Sequence, residues 1–204
     1  MILNNEFDTI YHEHLSFFNI NSFNTLCNRV GINLIDVRKS PIHGTSYIFI
    51  LSKTIRKPHL IENLISLERS KGLYNIDTYE TYKDNALDIK SDFVKHINDY
   101  KQKKYIIIGY GAAAKGMTFL NFCNITFDII IDDSPLKYNL YTPGSNIVIK
   151  DLLFLKNYSN TDKIVFIPLA WNFYTEIVNK IKSVRKNKED IFLKYFPTLE
   201  ITHG

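Results

Sequence analysis

One short segment gathers side chains suited to moving a proton: Tyr11, His12, Glu13 and His14 stand consecutively within FDTIYHEHLSFF, residues 7–18. Histidine titrates near neutral pH, and a neighbouring carboxylate can raise and orient it, so the run suits general acid/base work. On an extended segment His12 and His14 would share a face. A metal site there lacks an obvious third ligand. The plainer alternative is a polar loop at a strand end.

A second chemical motif is Gly109-Tyr110-Gly111-Ala112-Ala113-Ala114-Lys115-Gly116, which follows the apolar run Tyr105 to Ile108 and opens a helical pattern. This is the setting of a Rossmann phosphate-binding turn: glycines permit close backbone approach, and a helix N-terminus favours an anion. Asp132 and Asp133 end the next apolar run, where a ribose-binding carboxylate would stand. The spacing departs from the strict glycine fingerprint, with Ala114 third and Gly116 two later. A nucleotide site and a purely structural strand-to-helix turn both remain open on this pattern.

The elements that must position these motifs are legible in outline. Residues 17–31 read as a helix capped at Asn21 or Ser22 and ended by Gly31, followed by NLIDVRKS and SYIFILS, a hairpin around a Pro/Gly connector. Helix then hairpin makes an ending for an α/β sheet that has no beginning here. Residues 56–100 are helical and more polar, broken near Gly72 and Asn75. From residue 101 strand and helix patterns alternate, ending in DIFLKYFPTL, which predicts a parallel sheet with helices on both faces. The fold class expected is α/β: a Rossmann-like domain over 101–204, a helical connector over 54–100, and over 1–53 the tail of another α/β domain.

Composition narrows the function classes. A 45% hydrophobic chain with 14% aromatics has enough apolar surface for a globular core. The net charge of +4 is scattered, which argues against a nucleic-acid surface. No apolar run approaches the roughly 20 residues of a membrane span. Glu6 and Asp8 interrupt the N-terminus before any signal-like region forms. Cys27 and Cys123 lie far apart in apolar stretches and read as buried free thiols of a cytoplasmic protein.

Taken in order, Tyr11-His12-Glu13-His14-Leu15-Ser16, Pro41-Ile42-His43-Gly44, GYGAAAKG, Ile131-Asp132-Asp133-Ser134-Pro135, Tyr141-Thr142-Pro143-Gly144 and Leu169-Ala170-Trp171-Asn172 form a recognisable series. Together they resemble the C-terminal half of the S-adenosylmethionine-dependent sugar C-methyltransferases, which act on keto-deoxysugars attached to a nucleotide. The likeness runs over nearly the whole chain. That family has an N-terminal zinc-binding domain, a middle domain holding the methyl donor, and a C-terminal Rossmann-like domain. The resemblance places the zinc cysteines and the donor-binding turn upstream of Met1, which accounts for a sheet without a beginning.

The resemblance implies that His14 is the base removing a proton from the carbon next to the sugar keto group, supported by Tyr11 and Glu13. His43, Gly44, Gly109, Gly111, Lys115 and Asp132 are the candidate substrate-binding residues. Thr45 and Tyr47 stand where the family more usually has Gly and Leu, and Met117 where Asn is common. The chain alone is expected not to bind S-adenosylmethionine tightly, and its expected partners are a nucleotide-linked sugar and either a separately encoded N-terminal half or a second copy. The alternative functions are a non-catalytic nucleotide-sugar-binding module and, more weakly, a nicotinamide-dependent oxidoreductase built on GYGAAAKG.

Overall fold

The structure is a computed structural model that describes residues 1–40, 46–196 and 198–204. The chain divides into two compact units, one of Met1–Asn5 with His12–Asp84 and one of Glu6–Tyr11 with Asn85–Gly204.

In the first unit α1 (Ile20–Arg29) is capped by Asn19, earlier than the Asn21 or Ser22 that composition suggests. Asn19 accepts from the Ser22 N–H at 2.8 Å and the Ser22 hydroxyl accepts from the Asn19 N–H at 3.1 Å. The reciprocal box satisfies two backbone donors at once, which a cap at Asn21 would forgo. Strands β1 (Asn33–Ser40) and β2 (Ser46–Ser52) pair antiparallel as the predicted hairpin, with register from Asn33↔Ser52 to Ser40↔Ser46. Helix α2 (Pro58–Ser70) opens on proline, whose missing N–H would have had no helical partner anyway.

These elements enclose a small core of Ile20, Cys27, Leu34 and Ile61, with Phe23 stacked on Phe49 at 3.9 Å. The buried Glu68 carboxylate accepts the Ile20 N–H at 2.9 Å and the Tyr74 hydroxyl, tying the first turn of α1 to the end of α2. Elsewhere the unit leaves apolar surface open: Ile48 is 52% exposed, and Phe17, Phe18 and Leu51 are exposed as well. Ile50 is only half-exposed.

Helix α3 (Ile76–Gln102) carries the chain across the division between Asp84 and Asn85. The second unit is built on strands β3 (Ile106–Tyr110), β4 (Ile129–Ile131), β5 (Ile149–Lys150), β6 (Ile164–Pro168), β7 (Ile191–Lys194) and β8 (Glu200–His203). They form one sheet in the order β5-β4-β3-β6-β7-β8, parallel except for the β7–β8 pair. The predicted Rossmann-like parallel layer is therefore present, with an antiparallel edge strand after the strand read as the last. The connection from β5 to β6 carries a short 3-10 helix, Leu152–Asn157, where strict alternation would put an α-helix.

Helices α4 (Ala114–Cys123) and α5 (Tyr174–Val184) complete the unit. On one face Ile177 and Ile181 of α5 pack with Ile108, Tyr110, Ile131, Phe166 and Phe192. An aromatic cluster centred on Phe119 of α4 fills another part of the core: its ring stacks on Tyr195 at 3.8 Å and meets Phe93 of α3 edge-on at 4.8 Å. Both cysteines are buried free thiols, as expected; burial raises the Cys27 thiol and pushes Cys123 up to about 12.

Candidate active site

The Tyr11–His14 run is reached through a 3-10 turn, Phe7–Thr9, closed by Ile10 N–H on Phe7 C=O at 3.0 Å. Beyond it Tyr11 bends and His12 and Glu13 form a turn, so the segment is not the extended run on which His12 and His14 would share a face. The reason lies upstream: Phe7 is drawn into the aromatic cluster, its ring 5.1 Å from Phe122 and 5.2 Å from Phe196, and the chain must turn to leave that core. Past the turn, the His14 side chain is exposed and meets the Phe17 ring edge-on at 6.1 Å. Glu13 lies 3.9 Å from His12, with both side chains mostly solvent-exposed. Tyr11 is half-buried. The unit division falls between Tyr11 and His12.

The glycine-rich turn has a different character. Asp132, which a dinucleotide site would turn toward a ribose, instead accepts the Ala112 N–H at 2.7 Å and the Ser134 N–H at 2.8 Å. Lys137 joins them, donating to Asp132 at 3.0 Å and to the Ala112 carbonyl at 2.9 Å. A carboxylate of the chain itself thus lies on the turn amide that could have faced a ligand phosphate. The glycines serve packing: a Cβ on Gly109 would press on Ile130, Phe127 and Leu169 at 3.0–3.1 Å, and one on Gly116 would lie 2.7 Å from the Leu169 Cβ. Gly111, at φ +98°, takes a backbone conformation other residues rarely adopt. Of the two carboxylates that stand where a ribose ligand would, Asp132 is committed to the turn itself.

Lys115 stands at the start of α4, its ammonium 5.0 Å from the centre of the Trp171 ring. Trp171 in turn donates its indole N–H to Asp8 at 2.7 Å. Asp8 is fully buried, and burial raises its carboxyl above the ordinary value against the opposing pull of the Trp171 N–H and the Lys115 charge. Its second oxygen, Oδ1, has no hydrogen-bond partner among the described residues. Sequence reasoning missed Asp8; the only available signal was an acidic residue between the apolar Phe7 and Ile10, and nothing in the sequence ties it to Trp171.

Next to Asp132, Asp133 accepts from the Tyr110 hydroxyl at 2.6 Å and from Lys180 at 2.9 Å. Burial works to raise its carboxyl, but these two donors outweigh it and hold the group below the ordinary aspartate value. His43 and Gly44 lie outside the described residues. Among the described residues no group of three His, Cys, Asp or Glu side chains is placed to hold a metal ion. No helix among them is long and apolar enough to cross a membrane.

The candidates thus fall into three: an exposed histidine turn, a glycine-rich turn closed by its own carboxylate, and the buried Asp8 with the half-buried Trp171 and Lys115. Comparison with known proteins gives this arrangement its context. The C-methyltransferase NovU of Streptomyces niveus is 27% identical over 198 residues, covering 92% of this chain and 45% of that protein. The chain therefore spans less than half the length of this relative. Residues 41–197 match the family described as the C-methyltransferase C-terminal domain, and the chain belongs to that family.

Proposed function

We propose that the chain is the C-terminal portion of an S-adenosylmethionine-dependent C-methyltransferase acting on a nucleotide-linked keto-deoxysugar, with His14 as the general base. The observation that carries the reading is the solvent-facing His14 imidazole directly after a segment anchored in the Rossmann-like unit. A C–H bond next to a carbonyl is acidified because the electron pair left behind delocalises onto the keto oxygen. Removing that proton still needs a positioned base active near neutral pH, and imidazole meets the requirement. Tyr11 and Glu13 are assigned to its support.

The one Rossmann-type turn among the described residues does not favour S-adenosylmethionine. The turn at 109–116 has its Ala112 N–H and Asp132 bound to each other, so neither is open to a donor's ribose. The donor then belongs to the portion of the longer enzyme outside this chain, and the residues here supply substrate binding and proton removal. His43, Gly44 and the turn residues Gly109, Gly111, Lys115 and Asp132 are carried forward as the substrate-side set, with Asp132 acting through the shape of the turn. The exposed apolar side chains of the hairpin unit favour a partner: a separately encoded N-terminal half, or a second copy in its absence.

The test is reconstitution. The chain, combined with an N-terminal half from a C-methyltransferase of this family, is expected to transfer labelled methyl from S-adenosylmethionine to a nucleotide-linked keto-sugar. His14→Asn should lower turnover by roughly 10²–10⁴-fold with sugar-nucleotide binding little changed. A reconstituted complex whose His14→Asn variant turns over like the parent would remove the assignment.

A further inference from the structure

We infer that Asp8, Trp171 and Lys115 form a latch that pins the Glu6–Tyr11 segment, which leads into the histidine turn, within the Rossmann-like unit, with Asp8 as a positioning residue for the reaction. The inference rests on the reading of His14 as the base.

The latch stands at a particular place in the fold. The chain builds β3, β4 and β5 outward to one side, then returns to lay β6 on the other side of β3. The gap between the carboxyl ends of β3 and β6 is therefore the topological switch point, where open α/β sheets hold their ligands. Trp171 follows β6 directly, its approach fixed by Leu169 N–H on the Tyr110 carbonyl at 2.8 Å. Its indole stacks on Phe196 at 5.5 Å, leaving the ring N–H to reach Asp8. Lys115 reaches the indole from the first turn of α4.

Packing alone does not explain Asp8. Phe7 already anchors the segment through rings at 5.1–6.1 Å. Adding a carboxylate beside it buries a group that water solvates far better, with one oxygen left unpartnered and Glu6, also buried, opposing the charge. An apolar side chain would fill the same space without that penalty. What the carboxylate adds is direction: one short bond to the indole N–H fixes both the rotation of Trp171 and the backbone at Asp8. Asp8 precedes His14 by six residues, so fixing it fixes the backbone from which the chain enters the histidine turn. Misplacement of a catalytic group by about 1 Å can lower turnover on the order of 10²-fold, which is the scale at which such a latch matters.

Because Trp171 is the chain's single tryptophan, its indole N–H gives one resonance that reads the latch directly. In the isolated chain Asp8→Ala should move that resonance and speed its exchange with solvent, while Asp8→Asn, which keeps an acceptor oxygen, should largely restore it. In the reconstituted enzyme Asp8→Ala should lower kcat about 10- to 100-fold with KM for the sugar nucleotide unchanged, and Asp8→Asn should recover most of it. Trp171→Phe keeps an aromatic ring in the stack on Phe196 and loses the donor, so it should reproduce the kcat loss even where Asp8→Ala folds poorly. An indole resonance indifferent to Asp8→Ala overturns the latch. A resonance that moves while kcat holds in both Asp8→Ala and Trp171→Phe overturns the positioning role. If His14→Asn proves silent, the parent reading and the positioning role fall together, and the resonance still decides whether the latch exists.

Discussion

Strands β2 and β3 are both rich in isoleucine and live in opposite circumstances. Ile107 and Ile108 of β3 are fully buried, between β4 on one side and β6 on the other. Ile48 of β2 is 52% exposed, and among the described residues β2 pairs with β1 alone. A run such as Tyr47-Ile48-Phe49-Ile50-Leu51 is the composition of a strand covered on both faces, since a half-solvated antiparallel strand alternates apolar with polar. In β3 the sequence and its surroundings agree. In β2 the helices α1 and α2 cover the face carrying Tyr47 and Phe49, and the other face keeps the apolar residues without comparable cover. The contrast teaches that similar local sequence reports the neighbours a strand is built for. It supports the proposal that the hairpin unit is made to be joined by more protein.

Substitutions that separate the two units sharpen this contrast. The largest stability effect is expected at Phe119, fully buried and in ring contact with Phe7, Phe93, Tyr195 and Phe196. Phe119→Ala should lower stability by about 3–5 kcal/mol, read as a fall in denaturant midpoint. A loss under about 1 kcal/mol would mean that the cluster is not the core of its unit.

A smaller effect is expected from pH. Asp133 is held below an ordinary aspartate's 3.8 by Tyr110 and Lys180, so the unfolded chain binds its proton first as pH falls. Its contribution is then full above that value and is lost as pH drops through the lower folded one. Asp8, raised by burial, acts with the opposite sign, contributing most below 3.8 and losing that contribution as pH rises. Asp133→Asn should flatten the acid limb of a stability–pH curve, and an unchanged limb would show that its two donors do not favour the charged form.

The smallest stability change is expected on the open face of β2. Ile48→Lys should alter stability by no more than about 0.5 kcal/mol, as surface changes usually do. It should nevertheless reduce self-association in analytical ultracentrifugation and weaken capture of the N-terminal half, because a lysine opposes edge and face pairing. A loss of several kcal/mol would place Ile48 in a core and end the comparison.

How far the sequence could be read follows from where its physical signals are strong. The hairpin and the break between α2 and α3 were legible because apolar period and Gly/Pro punctuation coincide there. Strand β8 was not, since Glu200, Ile201, Thr202 and His203 are all exposed and the strand depends on backbone pairing with β7. The turn at 109–116 was legible as a strand-to-helix junction, but not the closure of its amide by Asp132, which depends on the ends of β3 and β4 lying side by side. The turn at His12 and Glu13 and the Asp8–Trp171 bond were hidden for a related reason. Both follow from Phe7 docking among aromatic rings far away in the chain, a contact no local pattern announces.

The central claim, that His14 removes a proton from the substrate carbon, can be measured apart from methyl transfer. The reconstituted complex is incubated in deuterium oxide with a nucleotide-linked keto-sugar, and exchange at the carbon beside the keto group is followed by proton NMR. Exchange is expected to be catalysed by the parent complex and slowed roughly 10²–10⁴-fold in His14→Asn, with sugar-nucleotide affinity nearly unchanged. Exchange at the parent rate in His14→Asn would contradict the claim, returning the Tyr11–His14 run to a polar surface turn.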